Sequence, residues 1–420
     1  MADSGPVLIV GAGLAGLVCA IELQARGIEA VLIESADAPG GRVRTDRHDG
    51  FLLDRGFQVA LTAYPEMHRH LDMAALALRP FEPGALIHRD GRDHEVGDPF
   101  RSPRSTLPTL RSIVAGGIGT PADLVRLALL RRRLRSRHPA SLLRAAESAT
   151  STALAEAGFS PRFIDAFFRP LVGGIQLDPS LGTSSRMFDV IMRMLLDGEA
   201  AVPAAGMGEI PRQLAARLHE GTLRLGSVAE AVVPEGVVVD GALQRGSAVV
   251  IATDGPRSAE LLGLPAVGSR SVGCVYFDAP VPPTARRLIV LDGERSGPAL
   301  NVAVMSNVAP GYAPPDRHLV VAATPGETAD GLEERVLMQM RGWWGDQVDE
   351  WRHLRSYRIA HGQPDQGPPF SPKRGQQVGD RRFVCGDHRD TGSIQGAMFS
   401  GRRCAELVGR TLGAPRYQPA

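Results

Sequence analysis

Four consecutive apolar residues, Val7-Leu8-Ile9-Val10, run into the glycine-rich stretch Gly11-Ala12-Gly13-Leu14-Ala15-Gly16. Apolar positions then recur at Leu17, Ile21 and Leu23 before Gly27. An apolar run without alternation suits a strand buried on both faces, and the recurrence after it predicts a helix that stops at Gly27. A second such run, Ala30-Val31-Leu32-Ile33, ends at Glu34. Comparable runs at Ala248-Val249-Val250-Ile251-Ala252 and Arg382-Phe383-Val384-Cys385 predict further strands. Shorter strand-like runs occur at Leu223-Arg224-Leu225, Ala231-Val232-Val233 and Val237-Val238-Val239, and Gly206 to Pro211 leads into a helix through Leu214 and Leu218. Helical patterns follow Thr120-Pro121, Ser160-Pro161 (with Pro170 as its end), Ser185 and Gly392-Ser393.

The first strand, turn and helix carry a definite chemistry. In Gly-x-Gly-x-x-Gly, Gly11 permits the tight turn, Gly13 lacks the Cβ that would block a pyrophosphate, and Gly16 lets the helix lie close to the strand. A dinucleotide here is expected to touch Gly11, Ala12, Gly13, Leu14, Ala15 and Gly16, and Glu34 and Ser35 at the ribose. An acid rather than an arginine at Glu34 favours FAD or NAD over NADP. Glycines at 40 and 41 let the backbone run against a ligand, and Arg42 can pair with phosphate oxygens, although Gly-Gly followed by a solvated arginine also describes a surface turn. Near the other end, Gly386-Asp387 follows a strand, and Gly392-Ser393-Ile394-Gln395-Gly396-Ala397 opens a helix. Asp387 can bind a ribityl hydroxyl, while a helix beginning at Ser393 presents free N–H groups to an anionic ring edge.

With these two terminal signals the chain resembles the FAD-dependent amine oxidase superfamily, which includes flavin amine oxidases, protoporphyrinogen oxidases and phytoene-type desaturases. The resemblance implies FAD. It also implies that Gly41 and Arg42 hold phosphates, Asp387 the ribitol, Ile394 the pyrimidine end and the backbone near Val228 the adenine. Gly56, Phe57, Gly386, Ser393 and Ala397 complete the implied cofactor contacts. The implied fold class is α/β: a Rossmann-like, glutathione-reductase-like FAD-binding domain built from residues 1–60, 203–255 and 375–420. A mixed α+β substrate-binding domain would take 61–202 and 256–374.

Three branches compete for the chemistry. Phe168 to Ile175 with Asp178-Pro179 is similar to a segment of protoporphyrinogen oxidases, and Asp54 to Pro65 to the plant-type phytoene, carotene and squalene-forming desaturases. Amine oxidation is disfavoured: Lys373, the only lysine, lies outside the place of that branch's flavin-bridging lysine, and Ser393 replaces one of its two tyrosines. The expected function is therefore oxidation of a small lipophilic substrate by hydride transfer to flavin N5, with oxygen or a quinone as acceptor. The alternatives are amine or porphyrinogen oxidation, a redox-neutral flavin-dependent isomerase and a non-catalytic FAD-binding protein. His361, His388 and Asp390, near the C-terminal cofactor segment, are the candidate catalytic bases. The methionines and Phe188 between 185 and 196 suit either a core or the wall of an apolar cavity.

Composition changes this picture little. The chain has 420 residues, enough for two domains, and its net charge of +1 gives no reason to expect a nucleic-acid partner. Four scattered cysteines suit reduced thiols, no metal site is expected, and neither a signal peptide nor a bilayer-spanning run is read. The expected location is cytoplasmic. Arg131, Arg132, Arg133, Arg135 and Arg137 crowd one helix end, where they complement the helix dipole. A peripheral contact of this helix, near residues 121–137, with a membrane is the alternative.

Overall fold

The computed structural model describes residues 5–414, so the outermost residues of the expected cofactor segments, 1–4 and 415–420, lie outside the described part. A six-stranded sheet gathers segments from the whole chain. Its strand order is Leu223–Arg224, Ala30–Ile33, Val7–Val10, Ala248–Ile251, Arg382–Val384 and Gln377–Gly379. All neighbours are parallel except the last pair. Val7–Val10 and Ala248–Ile251 are buried at every position, as runs covered on both faces must be.

One face of this sheet carries the helices Leu14–Gln24 and Ile394–Thr411. These helices meet backbone to backbone: a Cβ added to Gly401 would lie 2.2 Å from the Ala15 carbonyl oxygen. The opposite face is covered by a three-stranded antiparallel meander, Ala229–Val233, Gly236–Val239 and Ala242–Arg245, through Val237 and Val239.

A second, seven-stranded sheet runs in the order Arg352–Pro364, Ser269–Ala279, His318–Pro325, Asn301–Val304, Ile289–Asp292, Gly84–Arg89 and Arg92–Gly97. Alternation decides its two faces. Leu86 and Val290 point toward the helix Leu332–Trp344, where Trp343 and Trp351 are core residues. Ile87 and Leu291 point toward the helices between residues 106 and 197. The two-stranded hairpin Thr45–His48/Phe51–Asp54 is tied to the second sheet by a buried polar network around Asp54. Tyr276 Oη donates to its carbonyl at 2.8 Å, and its carboxylate accepts from Tyr312 Oη at 2.8 Å, Met207 N at 2.9 Å and Thr45 Oγ1 at 2.5 Å.

Most expected elements form where the pattern places them. Pro170 is the exception: rather than ending a helix, it sits inside one that continues to Gln176. A wide π turn at Ile164–Phe168 precedes it and changes the hydrogen-bond register where the proline has no N–H to give. The helix through Leu214 stops at Ala215, short of Leu218.

Candidate functional site

The C-terminal edge of the first strand, its glycine turn and the start of the last helix open on one cavity of about 1420 Å³. That exceeds the ~300–1,000 Å³ of an ordinary small-molecule pocket. Gly11, with φ +104, makes the turn, and a Cβ on Gly16 would fall 1.9 Å from the Gly11 carbonyl oxygen. A Cβ on Gly13 would instead meet nothing within 4 Å, since that side of the turn faces the cavity. No side chain caps the helix Leu14–Gln24, and both Leu14 and Ala15 line the cavity, so its positive end is open to an anion.

Glu34 stands beside this turn. Its carboxylate accepts from Ala12 N at 2.7 Å and from Ala36 N at 2.9 Å, and it lines the cavity next to Ser35. Ala12 is fully buried and its N–H is committed to Glu34, so it supports the site from behind rather than facing the cavity. Gly16 likewise acts through close packing.

The two chain ends meet directly. Arg42 Nη2 lies 2.8 Å from Asp387 Oδ1, and Arg42 Nη1 donates to the Gly362 carbonyl at 2.8 Å. Burial alone would raise the Asp387 pKa, but the charge and hydrogen bond of Arg42 outweigh it and hold this carboxyl below its ordinary value. Gly41, Gly56, Phe57 and Gly386 line the same cavity. At the far helix, Ser393 is the N-cap, its Oγ accepting from Gly396 N at 3.0 Å. Ile394, Gln395 and Ala397 line the cavity, and the N–H groups of Ile394 and Gln395 have no partner among the described residues. The uncapped first helix, the open space at Gly13 and these free donors fit a pyrophosphate at one end and an electron-rich ring edge at the other.

Some expected residues sit differently. Val228 reaches the cavity but is exposed, and its backbone is engaged, the N–H donating to Asp240 Oδ1 at 3.0 Å and the carbonyl accepting from Asp240 N at 3.1 Å. His361 is exposed and lies outside the main cavity, at an irregularity where the strand's pairing with Ser269–Ala279 shifts register between Ile359 and Gln363. His388 is also outside it, packed against the Gly386 turn with both ring nitrogens unpartnered. Burial pulls its pKa down to about 4, so the ring is neutral.

Asp390 does line the cavity. Burial pushes its pKa up to about 6 against the opposing charges of Arg403, 3.8 Å away, and Lys373, and its Oδ2 has no hydrogen-bond partner. Lys373, whose place in the sequence is unlike that of a flavin-bridging lysine, nevertheless lines the cavity beside Asp390, its Nζ 5.2 Å from the Phe399 ring centroid. Tyr64, in the desaturase-like stretch Asp54 to Pro65, and Gln363 are further lining residues.

From this polar end the cavity extends between the helices. Its far wall is built from Leu171, Ile175, Met187, Ile191, Met192 and Met194. The helix Ser185–Asp197 therefore supplies both wall and core, for Phe188 turns inward against Phe168, ring centroids 5.7 Å apart.

Comparison with known proteins agrees with this geometry. A stretch of 51 residues is 47% identical to the lycopene-forming phytoene desaturase of Pantoea ananas, covering 12% of this chain and 10% of that protein. The chain thus matches far less than two thirds of such relatives. In fold it is similar to an oxidoreductase from Methanosarcina mazei, with a TM-score of 0.74 at 15% identity, covering 95% of this chain and 99% of that one. It is also similar to cyclohexylamine oxidase from Brevibacterium oxydans, with a TM-score of 0.69 at 15% identity over 97% and 99% of the two chains. The family model described as flavin containing amine oxidoreductase matches residues 14–409, and the chain belongs to that family of FAD-dependent enzymes.

Proposed function

We propose that the chain is an FAD-dependent oxidoreductase acting on a lipophilic, uncharged substrate in the manner of a desaturase or dehydrogenase, with oxygen or a quinone as final acceptor. The observation that carries this reading is the single cavity that joins the two glycine-bearing ends to a wall of leucine, isoleucine and methionine. In this reading residues 1–60, 203–255 and 375–420 form a Rossmann-like cofactor domain, and the remainder holds the substrate. FAD, when bound, supplies the hydride acceptor.

The chain's own residues do the rest. The open helix end at Gly13, Leu14 and Ala15 and the side chain of Arg42 hold phosphates, Glu34 the ribose, Asp387 the ribitol, and the helix start at Ser393 and Ile394 the ring edge. The apolar wall orients the substrate and excludes water. Asp390, ionised at neutral pH with a free Oδ2, accepts the proton that leaves when a hydride is removed from the neighbouring carbon.

The test is anaerobic reduction of the flavin in the holoprotein by an apolar polyene, a porphyrinogen and a primary amine, each added alone. The polyene is expected to bleach the flavin, with a rate that rises as pH passes through about 6 and Asp390 loses its proton. Asp390→Asn should abolish that limb and slow reduction by about 10²-fold. Bleaching by the amine alone would overturn the reading.

A further inference from the structure

Among the described residues, six of the eleven large apolar side chains that stand exposed fall between residues 100 and 129: Phe100, Leu107, Leu110, Val114, Val125 and Leu129. Soluble proteins rarely gather such residues in one place without a partner. Leu107, Leu110 and Val114 share one face of the helix Thr106–Val114, and Val125 and Leu129 share one face of Pro121–Arg135. Phe100 joins the second helix, its ring 4.5 Å under the Arg131 guanidinium.

The same stretch is strongly one-signed. Residues 99–146 contain ten arginines and a single acid, Asp123, in a chain whose net charge is only +1. Asp123 is fully buried in the capping box of its helix. Part of the arginine run is used internally, since Arg131 pairs with Asp98 at 2.8 Å and Arg133 with Asp189 at 2.6 Å. Arg104, Arg111, Arg132, Arg135 and Arg137 remain exposed, with no ionic partner among the described residues. The charge therefore serves more than the helix dipole.

The patch also has a definite place. Phe100, Leu110 and Ala128 are exposed and line the cavity, so one mouth of the cavity opens between these two helices. We propose that this face docks on an anionic lipid bilayer, its apolar side chains dipping among the acyl chains, its arginines on the headgroups and the cavity mouth facing the membrane. No described helix is long and apolar enough to cross a membrane. That a substrate passes through this mouth rests on the proposed oxidation of a lipophilic molecule; the docking itself does not.

The experiment is flotation of the holoprotein with phosphatidylcholine vesicles, with and without about 30% phosphatidylglycerol. Co-migration with the anionic vesicles, weakened by salt, is expected, and none with phosphatidylcholine alone. The combined variants Leu107→Glu, Val125→Glu and Leu129→Glu, and separately Arg104→Ser, Arg111→Ser and Arg132→Ser, should each lower binding at least tenfold while flavin absorbance stays unchanged. None of these six residues lines the cavity. Wild-type protein that ignores anionic vesicles, glutamate variants that bind as well as wild type, or a dimer that these variants split would each overturn the proposal. Because the assay needs no turnover, its failure leaves the oxidation reading standing, and a failed oxidation assay leaves this one.

Discussion

Glu34→Ala is expected to emerge from purification nearly free of flavin, with FAD affinity lowered at least about 100-fold. The substitution removes the proposed ribose acceptor and leaves the Ala12 and Ala36 N–H groups without the carboxylate that fixes the turn. Hydrogen bonds to a charged group contribute about 1.5–3 kcal/mol each, and two of them position the backbone proposed to meet the pyrophosphate. Glu34→Gln keeps the shape but only one acceptor oxygen, so an intermediate loss is expected. Flavin absorbance of the purified variants, followed by titration with FAD, checks both. Full occupancy in the alanine variant would show that the ribose is held elsewhere.

Asp54→Ala is expected to destabilise the protein by about 3–5 kcal/mol, because it strands the Tyr312 hydroxyl, the Met207 amide and the Thr45 hydroxyl in a dry interior. The network joins the Thr45–Asp54 hairpin to Tyr276 of the second sheet, so the loss should loosen that contact. Its pH dependence has a definite sign. Burial raises the Asp54 pKa from 3.8 to about 6, so between these values the folded state binds more protons than the unfolded one. The group's favourable contribution is complete below 3.8 and is lost as pH rises through about 6, a change of about 3 kcal/mol. Asp54→Asn should escape this change. Urea unfolding at about pH 4 and pH 7.5 should therefore show the difference between the Asp54→Asn variant and wild type moving in the variant's favour at the higher pH. A pH-independent difference would mean that Asp54 titrates as an ordinary carboxyl.

How much of this is legible in the sequence follows from what each signal encodes. The cofactor end is written locally: glycines at 11, 13 and 16, the acid at 34 and the Ser393 cap act through backbone shape, which a short window of sequence carries. The pairing of Arg42 with Asp387 can be sensed only through resemblance, since 345 positions separate them and nothing local joins them. The base candidates are less legible. His361, His388 and Asp390 are close in sequence, yet the register shift around His361 and the packing at Gly386 leave only Asp390 facing the cavity. The position of Lys373 in the chain does not reveal its closeness to Asp390, which depends on the loop that carries it back over the last helix. The apolar face near the arginine-rich helix is half visible. Its charge shows in the sequence, whereas the exposure of Leu107, Leu110 and Val114 depends on which faces the neighbouring helices leave uncovered.

The proposed function requires one cavity to serve both the cofactor and an apolar substrate. Ile191→Trp tests it most directly, for Ile191 lies on the far wall, on the helix Ser185–Asp197, which carries none of the residues proposed to hold the cofactor. The variant should retain full flavin content and reduction by dithionite, while reduction by the apolar polyene falls at least about 100-fold. Unchanged reduction by the polyene in the tryptophan variant would contradict the account.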